Sequence, residues 1–303
     1  MRKINLLLDC DPGHDDAIAI ILVGSSPSIN LLGISVVSGN QTVEKTARNA
    51  FNISRFVDLK VPVCVGSSSP LKRERLNCGE IHGESGLDGV TFPKYKYEYV
   101  KECVEDFIFN VAKENAPITL VATGPLTNVA KAIIKYPYIN KYIEKIIIMG
   151  GSTNGGNISK YAEFNILADA EAAKIVFESG IKIRMMGLNV TRRLLVLPER
   201  VDNIAKLNNR VSNLFVDLMK FFNKTQKEVF GLDGGPLHDP TTIVSLLNEN
   251  VFKYENMKVT IDVSNTEHYG ETVCEPNGDV EVAIDVDVDG FFEEIRKGIE
   301  YYG

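Results

Sequence analysis

The sequence predicts an α/β protein: a single domain over residues 1–303, with a mostly parallel central sheet flanked by helices and a small antiparallel addition near the C-terminus. Three observations lead there. Of 303 residues, 44% are hydrophobic, enough to bury one sizeable core. Continuous apolar runs, turn residues and helically periodic segments recur through the first two-thirds, the pattern of parallel strands covered on both faces. The last third changes to long helical stretches and then to strands that alternate apolar and polar residues.

Taken in order, residues 4–8 read as a buried strand that runs out at Asp9 and Asp11. Pro12 and Gly13 turn the chain, and residues 16–23 read as a helix stopped by Gly24 and Pro27. Residues 31–37 are the next strand, and Val43, Ala47, Ala50, Phe51, Ser54 and Val57 mark a helical stripe after it. Val100, Cys103, Val104, Phe107, Ile108 and Val111 mark a second stripe, with strands following at 118–122, 146–149 and 181–186. Helices are expected at 211–229 and after Pro240, then appended antiparallel strands at 259–263 and 280–288. Asp285, Asp287 and Asp289 alternate with Val286 and Val288, which places them on the solvated face of that last strand rather than at a metal. The loops 66–93 and 150–168 are the longest, and loops of that length are usually functional or mobile. The whole arrangement is Rossmann-like, with no internal repeat.

Composition narrows the ligand. Lys and Arg number 33 against 40 Asp and Glu, a net charge of −7, which disfavours a nucleic-acid backbone or an anionic membrane and leaves a small uncharged or cationic molecule. The N-terminal apolar run meets Asp9 before it can form the core of a signal peptide, and no segment approaches membrane-spanning length. Five scattered cysteines without a C-x-x-C pair point to a reduced, cytoplasmic protein.

Asp9, Asp11, Asp15 and Asp16 crowd a strand end, a turn and a helix start, the place where open α/β sheets bind ligands. Carboxylates this close repel, so some must take protons unless a cation neutralises the group. Oxygen ligands without cysteine or clustered histidine select calcium or magnesium. The plainer reading leaves Asp15 and Asp16 complementing a helix dipole. An EF-hand fails here, because its glycine and glutamate positions carry His14 and Ile20. A phosphatase of the haloacid-dehalogenase type would use Asp9 as nucleophile and Asp11 as acid/base, but Pro12-Gly13 breaks that pattern.

The run Leu8-Asp9-Cys10-Asp11-Pro12-Gly13-His14-Asp15-Asp16-Ala17 resembles the opening motif of the inosine-uridine-preferring nucleoside hydrolases. Further motifs follow in that family's order: Ser38-Gly39-Asn40, Ile81-His82-Gly83, Ala122 through Asn128, Met149-Gly150-Gly151, Gly156-Asn157, Ala162-Glu163-Phe164-Asn165 and His238-Asp239-Pro240. The resemblance implies hydrolysis of a ribonucleoside to ribose and free base, in nucleoside salvage or catabolism, by a homo-oligomer, a dimer or tetramer. It implies calcium held by Asp11, Asp15, Asp16, the carbonyl of Thr123 and Asp239, with Asp11 as the base that activates water and Asp9 in support. Asn40, Met149, Asn157, Glu163, Phe164 and Asn165 match positions that hold the substrate. His238, next to a ligand, is a candidate to help the base depart, and His82 sits in a glycine-rich run able to close over sugar or base. His14 and His268 are read as structural or solvent-facing. Before His238, where relatives carry tyrosines or an arginine, this chain has Phe221, Phe222 and Gln226, and Gln226 is the candidate polar contact to the base. Purine, pyrimidine and broad specificity all stay open. A metal-dependent phosphatase and a non-catalytic nucleoside-binding protein are the competing functions.

Overall fold

The computed structural model describes residues 3–76 and 79–303; Met1, Arg2, Asn77 and Cys78 lie outside the described residues. The chain opens with β1 (Ile4–Cys10), α1 (His14–Ser25), β2 (Ile29–Val36), α2 (Val43–Phe56) and β3 (Val63–Val65). Next come α3 (Gly79–His82), α4 (Val104–Asn115), β4 (Ile118–Ala122), α5 (Thr127–Lys135), β5 (Ile143–Met149), α6 (Phe164–Ala168), α7 (Ala170–Phe177) and β6 (Ile183–Met186). The remainder is α8 (Leu188–Thr191), α9 (Pro198–Ala205), α10 (Arg210–Phe230), α11 (Pro240–Leu247), β7 (Phe252–Ile261), β8 (Thr272–Pro276), β9 (Val280–Val286) and α12 (Val288–Glu300).

The nine strands of the described residues join one sheet in the order β3-β2-β1-β4-β5-β6-β9-β7-β8. From β3 to β9 neighbours run parallel; β7 is antiparallel to both β9 and β8. The antiparallel addition is therefore β7 and β8, while β9 extends the parallel part. Order reverses beside β1, which has β2 on one side and β4 on the other, and that is where a crevice opens at the carboxyl ends of the strands.

Two apolar layers hold the sheet. Leu6 and Leu8 of β1 pack with α1, α2, α10 and α12 on one face, while Leu7, one residue out of phase, packs with α4, α5 and α7 on the other. This double burial explains the uninterrupted apolar strands. Helix α1 is buried on every side from His14 to Val23, so its apolar residues show no polar face and its first turn is carried into the interior.

Some boundaries differ from the sequence expectation. Val100 pairs in a bridge with Cys64, and α4 begins only after Cys103, so the 100–111 stripe overran the helix start. The last strand ends at Val286: Asp287 caps α12, accepting from the Gly290 amide at 3.1 Å, and Asp289 lies in that helix's first turn. Of the alternating trio only Asp285 belongs to the strand, where it pairs with Arg193 and Lys253. The strand expected at 259–263 begins earlier, at Phe252, and ends at Ile261.

Candidate active site

Strand β1 carries Asp9 beneath the crevice and ends just before Asp11, and Gly13 lets the chain enter α1 against the His82 ring, which a Cβ there would strike at 2.6 Å. The first turn of α1 adds Asp15 and Asp16, and Asp239, the residue before α11, comes in from the far end of the sequence. Carboxylate oxygens of Asp15, Asp16 and Asp239 all lie within 4.8 Å of one another. Asp11 sits beside them between Gly39 and Gly124, where a Cβ would come within 2.1 Å and 2.5 Å of its two carboxylate oxygens. Larger residues at either glycine would displace it.

Each carboxylate has a distinct set of partners. Asp11 Oδ2 accepts from the Asn40 amide at 2.7 Å, whereas Oδ1 is sealed from solvent without a partner. Asp16 accepts from the Gly13 amide at 3.0 Å and from the Thr123 hydroxyl at 2.7 Å. Asn40 reaches back with its side-chain amide to the Asp11 carbonyl at 3.1 Å and to Asp16 at 3.3 Å. Asp9 lies beneath the cluster and accepts from Ser35 Oγ at 2.5 Å and Asn128 Nδ2 at 2.8 Å. That burial takes it out of the cavity and away from the nucleophile role that a phosphatase would require.

Burial raises every one of these carboxyl groups, Asp9 and Asp15 to about 7, and for Asp11, Asp15 and Asp239 the neighbouring carboxylates push in the same direction. Asp16 is raised by burial as well. Among the described residues no lysine or arginine forms an ion pair with the cluster. Buried, oxygen-only and mutually repelling, with Asp11 Oδ1 left without a partner in the cluster and Asp9 Oδ2 beneath it, the group fits a hard cation.

Above the cluster opens a cavity of about 430 Å³, lined by Asp15, Asn40, His82, Thr123, Met149, Asn157, Glu163, Phe164, Asn165, Gln226, His238 and Asp239. Asn40, His82, Met149, Asn157, Glu163, Phe164, Asn165 and Gln226, the residues expected to hold the substrate, thus share one cavity, while Asp11, the expected base, is fully buried and not among its wall residues. Glu163 caps α6; its Oε2 accepts from the Ile166 and Gly151 amides at 3.1 and 3.0 Å, and burial raises its carboxyl to about 7. Asn165 donates to the carbonyls of Thr123 and Met149 at 2.9 and 3.0 Å, tying α6 to the ends of β4 and β5. Asn157 accepts the Phe164 amide at 3.0 Å. His238 Nδ1 is 2.7 Å from Thr191 Oγ1, and burial lowers the ring's pKa to about 4, so it is neutral near pH 7.

His82 is paired inside the protein. Its Nδ1 is 3.1 Å from Nδ1 of His14, whose Nε2 donates to the Asp88 carbonyl at 2.9 Å. His14 is fully buried and lies against Phe221 and Phe222, which makes it a structural support, whereas His268 is at the surface beside Glu271. The walls also include Ile158, Leu188, Arg192, Phe222, Phe230 and Leu232. The sequence carries no signal for Arg192 or for Thr191 behind His238: Thr191 ends a short helix, α8, that bears no motif, and Arg192 follows it.

The chain matches the inosine-uridine preferring nucleoside hydrolase family over residues 6–293. It belongs to that family. The pyrimidine-specific ribonucleoside hydrolase RihB of Escherichia coli is 40% identical over 309 residues, covering 100% of this chain and 99% of the relative. Among solved structures, a purine-preferring ribonucleoside hydrolase from Gardnerella vaginalis superposes with a TM-score of 0.92 at 31% identity over 98% of both chains. A plant nucleoside hydrolase, PpNRh1, superposes with a TM-score of 0.90 at 27% identity, also over 98% of both. The protein is thus a nucleoside hydrolase, an enzyme acting on N-glycosyl bonds, with an acidic cluster able to hold a metal ion.

Proposed function

We propose that this nucleoside hydrolase depends on calcium and splits ribonucleosides, pyrimidine ribonucleosides foremost, into ribose and free base. The observation that carries the reading is the buried carboxylate cluster at the floor of a cavity whose walls offer amides and a carboxyl for sugar hydroxyls. Asp11, Asp15, Asp16, Asp239 and the Thr123 carbonyl would hold the ion. When bound, it supplies the positive charge that keeps these groups ionised and makes a water within its reach more acidic.

The chain's own residues do the rest. Asn40, Asn157, Glu163 and Asn165 orient the ribose through donors and acceptors in the balance that hydroxyls need. Asp11 takes the proton of the attacking water as its oxygen bonds to the anomeric carbon. The bond to the base nitrogen breaks with its electron pair leaving on the base, and His238 or His82, at the cavity wall, hydrogen-bonds or protonates that departing group. Phe222, Phe230 and Leu232 give the base an apolar surface and exclude water.

The preference for pyrimidines rests on the relationship to RihB and on Gln226. This side chain is 5% exposed, lines the cavity and has no partner among the described residues, so its amide is free to bond a base edge. A cytoplasmic setting fits the free Cys10, Cys64, Cys103 and Cys274, and a homo-oligomer, dimer or tetramer, follows the family resemblance. No helix among the described residues is long and apolar enough to cross a membrane.

The test is ribose release from uridine, cytidine, inosine and adenosine, with and without a chelator. Uridine and cytidine should react fastest, the chelator should abolish turnover and added calcium should restore it. Full activity after removal of divalent ions would refute the metal assignment, and binding without ribose release would mark a non-catalytic nucleoside-binding protein.

A further inference from the structure

A second cavity of about 240 Å³ lies between α2 and the 85–97 segment and shares no lining residue with the active-site cavity. It is lined by two cations, Arg48 and Lys94, and by no aspartate or glutamate, in a chain whose net charge is −7. Neither cation is ion-paired to a carboxylate among the described residues. Asp88, one of two carboxylates in the neighbouring loop with Glu84, is turned onto its own turn, accepting from the Glu84 and Ser85 amides at 3.0 Å each and from Ser85 Oγ at 2.5 Å.

The wall adds a donor that has nothing to bond. Asn52 is 7% exposed; its Oδ1 accepts the Tyr97 hydroxyl at 3.2 Å, but its Nδ2 has no partner among the described residues. Asn52 is in the cavity wall, and its Nδ2 is not sealed from solvent. An idle amide donor, a guanidinium and an ammonium present only hydrogen-bond donors and positive charge. A tetrahedral oxyanion, with several acceptor oxygens, satisfies all three at once, and the planar guanidinium fork suits phosphate. Beside them, Phe92 and Tyr97, the latter 41% exposed, offer an apolar surface for an organic body.

We propose that this cavity binds a small phosphate monoester, with the phosphate on Arg48, Lys94 and Asn52 Nδ2 and the organic part against Phe92 and Tyr97. Asn49, also in the wall, donates to the carbonyls of Pro12 and Ser85 at 3.1 and 3.0 Å, which places the cavity directly behind the turn that leads into the aspartate cluster.

Calorimetric titration at low ionic strength tests this, with inorganic phosphate, ribose 5-phosphate and uridine 5′-phosphate as probes on the full-length protein. The monoesters should bind saturably and more tightly than inorganic phosphate. Arg48 and Lys94 are exposed, so the Arg48→Glu/Lys94→Glu variant folds; it should bind at least about tenfold more weakly while hydrolysing uridine at the parent rate. Binding should persist in Asp239→Asn, which alters the active site alone. No saturable binding, undiminished binding by the charge-reversed protein, or loss in Asp239→Asn would overturn the site. Equal affinity for inorganic phosphate would overturn the assignment to a monoester.

Discussion

Asp11 lies fully buried with one oxygen on the Asn40 amide and the other without a partner, and its burial, with the neighbouring carboxylates, raises its pKa. An isosteric Asp11→Asn change removes the base and one of the repelling charges together. We expect turnover to fall by about a thousandfold, while the metal-free variant melts above its parent; a variant that keeps its turnover would show that another group takes the proton. His238 acts on departure of the base, so His238→Ala should lower kcat by roughly a hundredfold and leave KM within about twofold. A loss confined to KM would instead make it a binding residue. At this scale the sequence was informative where chemistry clusters: the Asp11–Asp16 run and His238-Asp239 mark the carboxylate cluster and the cavity beside it. It was silent on Thr191 and Arg192, because a residue that reaches a site from a motif-free helix has no local signature.

Among the elements, α12 shows how two periodicities compete for the same residues. Aspartate and valine alternate from 285 to 289 as in a half-buried strand, yet Asp287 accepts the Gly290 amide and starts a helix whose Phe291, Ile295 and Ile299 are buried. Burial of that stripe decided the outcome, since a strand would have sent Phe291 and Phe292 to opposite faces. Asp287→Ala removes the cap and should cost about 1 kcal/mol, readable in the denaturant midpoint, with nucleoside turnover per folded molecule unchanged. An unaltered midpoint would mean that packing alone holds the start of α12. The parallel strands were legible because double burial leaves long apolar runs, whereas β3, three residues long, and α8, four residues long, are too short to carry a period.

For the whole molecule, the buried titratable groups set the pH dependence of stability. Asp9, Asp15 and Glu163 have folded pKa values of about 7, above their ordinary 3.8 to 4.5, so the native state binds protons that the unfolded chain has already released. Their effect is to lower stability as pH rises through that range. His14 and His238, lowered from 6.5 to about 4, act in the opposite sense, but only below 6.5, where the unfolded chain would gain protons. From pH 6.5 to about 8 the carboxyl groups therefore act alone. Metal-free protein should lose Tm steadily over that interval, and calcium should flatten the slope by favouring the ionised form; a chelated protein whose Tm rises there would contradict the assignment. The cluster itself closes only when α11, in the last quarter of the chain, docks against α1 at its beginning. During synthesis, then, the first half leaves the ribosome with its acidic turn still lacking Asp239, and ion capture has to wait until nearly the whole polypeptide has emerged.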